Sequence, residues 1–383
     1  MKIKLSLLLG HFVVIAWVFS AVSVFAEVTR DGWFPIDDRP ECAFFLPELE
    51  VVANVVSAKW TGRCADVTIH GHGTLTFTLK FKAGGHSGDV FVKGSFENGI
   101  PQGQTQYGLP DILTVDAELK GWTNIGSAKI TYENGDQYEG EINLVYPHGQ
   151  GIMIRADGTH REGQFKDGYL SGHGLVVFTD GTRYEGEFKD GYLSGQGRIV
   201  FANGTRYEGK FKDGYLSGQG LKVFADGPRF EGQFKDGGLS GPGRIVVPNG
   251  DLYEGNFKDG WIAGAGVKTF ADGARYEGGF DKYAMSGAGV LVDTNGHRFE
   301  GNFSNNRPQG NGRLLYINGA KYIGEFKDGS FHGFGTFTNP NGDRCEGVYR
   351  EGLLLEAGIG HKNGKLTSCF MKVMGTTTFG SDD

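Results

Sequence analysis

Five serines, Ser171, Ser194, Ser217, Ser240 and Ser286, and a run of glutamates from Glu139 to Glu346 could supply a nucleophile or an acid–base pair in this 383-residue chain. Both sets recur at fixed spacing. A nucleophile is needed once, whereas a turn residue is needed in every turn, so the serines are expected to be structural. The glutamates repeat in step with arginines, as in Arg206 and Glu208 or Arg275 and Glu277, and are expected to form cross-strand charge ladders. His70 and His72 share a strand face and His86 follows on an irregular stretch, but no carboxylate spacing completes a metal site around them. No Gly-x-x-x-x-Gly-Lys-Ser/Thr loop is present. The expectation is therefore no catalytic residue, no metal, no cofactor and no enzyme.

The composition says what must hold such residues. Glycine numbers 66 of 383 residues, against 11 prolines, while Phe contributes 29 and Tyr 15. That is about 17% glycine where about 7% is usual. A collagen helix and a disordered linker are both excluded by the aromatics, which leaves short aromatic strands joined by many turns. The formal net charge of −7 gives no basic excess to attract nucleic acid.

A 23-residue period organises most of the chain. One position falls at Tyr138, Arg161, Tyr184, Tyr207, Phe230, Tyr253, Tyr276, Phe299, Tyr322 and Cys345 without insertion or deletion. Glycine follows two residues later in all ten, and four residues later stand Ile142, Phe165, Phe188, Phe211, Phe234, Phe257, Phe280, Phe303, Phe326 and Tyr349. A Gly-x-Gly pair such as Gly195 and Gly197 comes next, then a turn glycine such as Gly204. Weaker copies keep the phase at Val92 and Val115, and one near Trp60 is set off by about nine extra residues.

Each unit reads as a β-hairpin. Arg183 to Phe188 is a strand, Lys189, Asp190 and Gly191 a turn, and Gln196 to Phe201 the return strand. Alternation puts Tyr184, Gly186 and Phe188 on one face with Gly195, Gly197, Ile199 and Phe201. With tip loops of about six residues, Phe188 lies opposite Gly195, and aromatic rings cover bare glycine backbone. A single layer has no second sheet over it, so the outer surfaces of the rings should stay partly wet.

Tyr-Glu-Gly-x-Phe-x-x-Gly followed by Gly-x-Gly, as in Tyr184 to Gly197 and Tyr207 to Gly220, closely resembles the MORN repeat (membrane occupation and recognition nexus). The likeness covers about four-fifths of the chain after residue 26, and the units at Val92, Val115, Arg161 and Cys345 depart from it. The resemblance implies an all-β, elongated, single-layer antiparallel hairpin meander, with about 13 units of 23 residues. It also implies a role in scaffolding, dimerisation or membrane attachment. Similar repeats accompany catalytic domains in plant phosphoinositide kinases and a lysine methyltransferase, and the array here leaves no room for one.

Residues 1–26 read as an export signal: Lys2 and Lys4, an apolar run from Leu5 to Val24, and a small residue at Ala26. An uncleaved membrane anchor is the alternative. Cleavage leaves 36 basic against 45 acidic residues, a net charge of −9. In a secreted or periplasmic setting Cys42, Cys64, Cys345 and Cys369 are disulfide candidates. Three pairings exist, and Cys42 with Cys64 and Cys345 with Cys369 are favoured because each pair lies near one repeat length apart. The expected organisation is a signal (1–26), a cap (27–58), the array (59–367, regular from 136 to 352) and a C-terminal cap and tail (368–383).

With chemistry set aside, binding faces remain. The expected face is Tyr184, Phe188, Tyr192, Tyr207, Phe211, Tyr215, Tyr253, Phe257, Trp261, Tyr276 and Phe280, since exposed apolar stripes mark interaction sites. The expected function is a non-enzymatic exported scaffold that docks another protein or a second copy of itself. One rival is a peripheral membrane module that binds lipid head groups through Lys166, Lys189, Lys212, Lys235 and Lys258, although an aspartate beside each lysine leaves that edge nearly neutral. Another is a cell-envelope glycan binder, with Tyr169, Tyr192, Tyr215 and Trp261 stacking on sugars.

Overall fold

The computed structural model describes residues 33–46, 53–81, 87–143, 145–355, 358–362 and 365–369. The expected export signal and His86 lie outside them. Among the described residues every regular element is a strand, and no helix is long and apolar enough to cross a membrane. The chain divides into two compact units, Met1–Ile199 and Val200–Asp383.

In the first unit His160–Lys166 and Tyr169–Val177 form a hairpin that defines the repeat. Lys166 pairs directly with Tyr169, so the tip is only Asp167 and Gly168, with φ of +50° and +87°. Two central residues at positive φ make a type I′ turn, whose twist matches that of the strands it joins. The same Asp-Gly turn recurs in the second unit at Asp213, Asp236 and Asp259. Six-residue tip loops are therefore replaced by two-residue turns, and the return strand starts at the aromatic residue directly after the turn.

That shorter tip changes the register. Phe165 pairs with Leu170 in its own hairpin, and Phe188 faces Gly172 of the preceding return strand. In the second unit Phe211 likewise pairs with Leu216 and not with Gly218 of its own hairpin. The spare residues are absorbed by a bulge: Gly163 pairs with Gly174 while Gln164 alone stands against residues 171–173. A free bulge amide needs an acceptor, and the facing strand supplies one. Glu187 Oε1 accepts from the Gln196 amide at 3.3 Å, as Glu141 does from Gln150 at 3.1 Å. Gly195 has φ of +131°, and a Cβ there would meet Glu187 Oε2 at 2.3 Å, so carboxylate and glycine belong to one device.

Successive hairpins are joined by five-residue turns. The Phe178 amide donates to Thr182 O and the Gly181 amide to Phe178 O, each at 2.9 Å. Asp180 Oδ1 accepts from the Thr182 amide at 2.8 Å, and Asn203, Asn249 and Asp272 repeat that bond in later turns. The recurrent Asn or Asp before the turn glycine is thus an Asx turn.

Phe165, Leu170, Phe188 and Leu193 form a buried row on the core face of the first unit, and Phe211, Leu216, Phe234, Leu239, Phe257 and Ile262 form one in the second. Each such side chain removed from water contributes roughly 1.5–3 kcal/mol. The rings at the repeat's aromatic position take two arrangements. Tyr138 lies across Gly151 and donates to Glu141 O at 2.6 Å, and Tyr276 lies across Gly289 and donates to Gly279 O at 2.9 Å. Burial pushes both phenols up to about 12. Tyr184 and Tyr207 instead stand edge-on against Phe178 and Phe201, each at 5.0 Å between ring centres. Leu170 and Leu216 then cover Gly174 and Gly220. Rings over glycine are thus one of two solutions to the same bare backbone.

Upstream of the regular repeats, Thr68–Phe81 is a 14-residue strand paired with Ala53–Trp60, Arg63–Ala65 and Ser87–Glu97. The extra residues before Val92 lengthen this hairpin. Trp33–Ile36 and Arg39–Phe45 form a separate hairpin attached through Ala43 and Thr68. Cys42 is disulfide-bonded to Cys64, as one of the favoured pairings requires. Cys345 is disulfide-bonded too, and the side chain of Cys369 lies outside the described residues.

Two stability predictions follow from this construction. Gly209 leaves no room for a side chain, since a Cβ would sit 2.4 Å from Gln219 O and 2.6 Å from Gly220 Cα. Gly209→Ala should therefore lower stability by about 2–4 kcal/mol in urea denaturation, whereas Asp213→Gly, in a turn that glycine accepts, should change it by under about 1 kcal/mol. Replacing Cys42 and Cys64 by Ser removes a cross-link between residues 22 apart. The loss expected is about 3 kcal/mol, seen as early melting of the N-terminal hairpins.

Candidate interaction surfaces

Lys166 and Tyr169 are the last paired residues before a tip, so they share a face, and Phe165 and Leu170 next to them lie on the other. The same holds for Lys212 with Tyr215 and for Lys258 with Trp261. The aromatic residues expected to form one binding face therefore divide between two. On the core face Phe188, Phe211, Phe257, Phe280, Tyr253 and Tyr276 are buried, and Tyr184 and Tyr207 are half-buried. Phe188 and Phe211 are only 4% and 2% exposed. Partly wet rings were expected there, but packing against the paired Leu and the neighbouring strand closes the surface over them.

The other face keeps its aromatics in solvent. Tyr169 and Tyr192 in the first unit are 58% and 64% exposed; Tyr215 and Trp261 in the second are 64% and 47% exposed. They are not loose. Tyr169 leans on the turn of the next hairpin, where a Cβ on Gly191 would stand 3.7 Å from its Cδ1, and Tyr215 leans on Gly237 in the same way at 3.5 Å. Trp261 packs 5.2 Å from the Tyr283 ring, whose hydroxyl donates to Gly260 O at 2.7 Å. Lys166, Lys189, Lys212, Lys235 and Lys258 are exposed beside these rings, each followed by the turn aspartate.

The charge ladder lies within strands and between neighbours. Arg229 and Arg244 both bind Glu231, at 3.0 and 2.8 Å, and Arg275 binds Glu277 at 2.8 Å. Hydrogen bonds from Arg244, with Arg229 adding to them, hold the Glu231 carboxyl below its usual range. These are exposed pairs, screened by solvent and of little weight in stability. Among the described residues no cluster of His, Cys, Asp and Glu is arranged to hold a metal.

Three cations stand at core-face positions: Arg161, already a departure from the repeat in the sequence, and two lysines that the sequence alone did not single out. Arg161 takes the place of the repeat's aromatic ring, is half-buried, and has an Nε without a hydrogen-bond partner. Lys222 and Lys268 occupy the return-strand position filled by Ile245, Leu291 and Leu314 in other hairpins of the second unit. The visible signal was a lysine at a register position otherwise apolar, as at Ile245, Leu314 and Phe337. Lys268 is buried, donates to Asp251 Oδ2 at 2.8 Å and lies 4.0 Å from the Phe270 ring centre. Burial opposes its charge, but the bonds to Asp251 and Tyr253 outweigh it and raise its pKa. Burial likewise opposes the Asp251 charge, and Lys268 with the Ala271 amide holds that carboxyl below its usual range.

The sequence matches the MORN repeat over nine consecutive segments, residues 138–160, 162–183, 184–206, 207–229, 230–252, 253–275, 276–298, 299–321 and 322–344. The chain belongs to the MORN-repeat family. Comparison with curated proteins gives no match. Among solved structures, this MORN-repeat chain is similar to the SAS-4 (dCPAP) TCP domain in complex with a proline-rich motif of Ana2 (dSTIL) of Drosophila melanogaster. Identity is 15%, coverage is 45% of this chain and 81% of that one, and the TM-score is 0.22. A streptogramin B lyase structure matches at 12% identity over 64% of this chain and 82% of that one, with a TM-score of 0.13. At such scores neither likeness carries an argument.

The Asp251–Lys268 pair gives a double-mutant test. Asp251→Asn should cost about 3–5 kcal/mol by leaving the buried Lys268 charge without its carboxylate, while Asp251→Asn with Lys268→Met should recover most of that loss in urea denaturation. The pH dependence has a defined sign. The depressed Asp251 pKa makes the pair's contribution fall as pH drops below the carboxylate range, and the raised Lys268 pKa makes it fall only above the usual lysine range.

Proposed function

We propose that this MORN-repeat protein is an exported, non-enzymatic scaffold that docks another polypeptide through the exposed aromatic rows at its hairpin tips. The observation that carries this reading is Tyr169 and Tyr192 in one unit and Tyr215 and Trp261 in the other. They are large rings held in solvent at a regular interval, and Tyr169 and Tyr215 are each braced by the next turn. Rigid aromatics lose little conformational entropy on contact and are favoured anchors of binding. Export is supported by the charged and apolar run of residues 1–26, and the Cys42–Cys64 disulfide fits an oxidising compartment.

A photo-cross-linking residue at position 192 tests the reading in intact cells, with a second one at the exposed residue Ile152 for comparison. A discrete polypeptide captured from position 192 and absent from position 152 is the expected result. Its affinity for the purified chain should drop about tenfold or more with Tyr169→Ala and Tyr192→Ala together. Capture of sugar polymer instead of polypeptide at position 192 would favour glycan binding.

The lysines beside these rings support one rival, attachment to anionic lipid head groups. Vesicles containing phosphatidylserine, sedimented with the protein at low and high salt, separate the two. Salt-sensitive binding lost with Lys166, Lys189 and Lys212 changed to Gln supports the rival, and no binding at low salt removes it.

A further inference from the structure

Lys222 and Lys268 stand two repeats apart at the same register position, and they differ in what surrounds them. Lys268 has Asp251. The residue two repeats before Asp251 is Thr205, which is buried like Asp251 and makes the same backbone contact: its Oγ1 accepts from the Ala225 amide at 3.3 Å, as Asp251 Oδ1 accepts from Ala271 at 2.9 Å. Thr205 keeps the turn and omits the counter-charge. Lys222 instead reaches along the core face toward the next hairpin tip, where its amine donates to Gly237 O. Its Nζ lies 4.6 Å from the Tyr207 ring centre and 5.7 Å from that of Phe234. Among the described residues Lys222, half-buried between two aromatic rings, has a carbonyl as acceptor and no carboxylate in an ion pair with it. Burial lowers its pKa, the opposite of Lys268.

We propose that Lys222 is a receptor site for a carboxylate, supplied by a Glu or Asp side chain of a docking polypeptide whose apolar neighbours lie against Tyr207 and Phe224. Charge complementarity argues for this occupant. At the same register position the chain gives Lys268 a carboxylate of its own, and Thr205 stands where Lys222 would find the equivalent one. The half-buried rings of Tyr207, Phe224 and Phe230 beside it form an edge-on stack that offers apolar contact to the flanking residues. The site deepens the scaffold reading and rests on it only for the source of the carboxylate. It lies on the face opposite Tyr215, so the cross-linking test at the tips and the test below can fail separately.

The probe is the capped tripeptide acetyl-Leu-Glu-Leu-amide, with acetyl-Leu-Gln-Leu-amide and acetate as controls, added to the full chain carrying 13C-labelled lysine. The Lys222 Cε signal, assigned by its loss in Lys222→Met, should shift with the Glu peptide at a Kd on the order of millimolar, while the Lys268 signal stays still. Thr205→Asp supplies the missing carboxylate without removing the lysine, and should weaken the peptide about tenfold or more and raise the Lys222 pKa. An unmoved Lys222 signal, an equal response to the Gln peptide, or undiminished binding in Thr205→Asp overturns the proposal. An equal shift with acetate overturns the polypeptide as occupant.

Discussion

The close approach of paired glycines across each hairpin is the constraint on which the rest depends. At Gly209 the two backbones lie so near that a Cβ would strike Gln219 O and Gly220 Cα, and a Cβ on Gly220 would press on Leu216 Cδ2 at 3.0 Å and Glu208 O at 3.2 Å. The Phe and Leu rows then close over a strand surface with no side chains of its own, and a single sheet acquires a buried side without a second sheet to press on it. The bulge follows from the same geometry. Two-residue turns fix the tip, the glycine pair fixes the middle, and the surplus return-strand residues must leave the ladder between them. Glu141, Glu187 and Glu325 at the facing position accept from amides of that displaced segment, while the ladder from Glu139 to Glu346 stands two residues earlier and pairs with arginines.

Much of this was legible in the residues. The 23-residue period, the strand alternation, the turn chemistry and the Arg–Glu pairing all have local causes that one repeat displays in full. The tip length was not, because Lys-Asp-Gly-Tyr reads equally well as a short turn or as the start of a longer loop. The positive φ of Gly195 was hidden for a related reason: glycine within an apparent strand does not announce which conformation it adopts. That error moved the return strand and placed Tyr192 on the same face as Phe188. Once Lys166 is seen to pair with Tyr169, the faces separate and the exposed rings become a set of their own.

The rotation of the repeat's aromatic ring was likewise invisible. Tyr138 and Tyr184 occupy the same position, yet one lies flat and hydrogen-bonds the bulge while the other stands against Phe178. A phenylalanine at the start of the following or preceding turn is a competing partner, and only packing decides between the two. Lys222 shows the reverse case: its identity was plain in the sequence, but its meaning required the comparison with Lys268 and Asp251 in space.

The hydrogen bond from Trp122 Nε1 to Phe45 O, at 2.9 Å, joins residues 77 apart in the chain. In the regular repeats each strand pairs with its immediate neighbours in sequence, so closing a hairpin requires ordering only a few intervening residues. Assembly there can begin at any tip and spread in both directions. The Trp122 contact closes a much longer loop and carries the larger entropic cost of doing so. The segment around Phe45 thus gains its last anchor from a residue far along the chain, whereas its hairpin with Trp33–Ile36 and its bonds to Val67 and Gly99 need much shorter stretches.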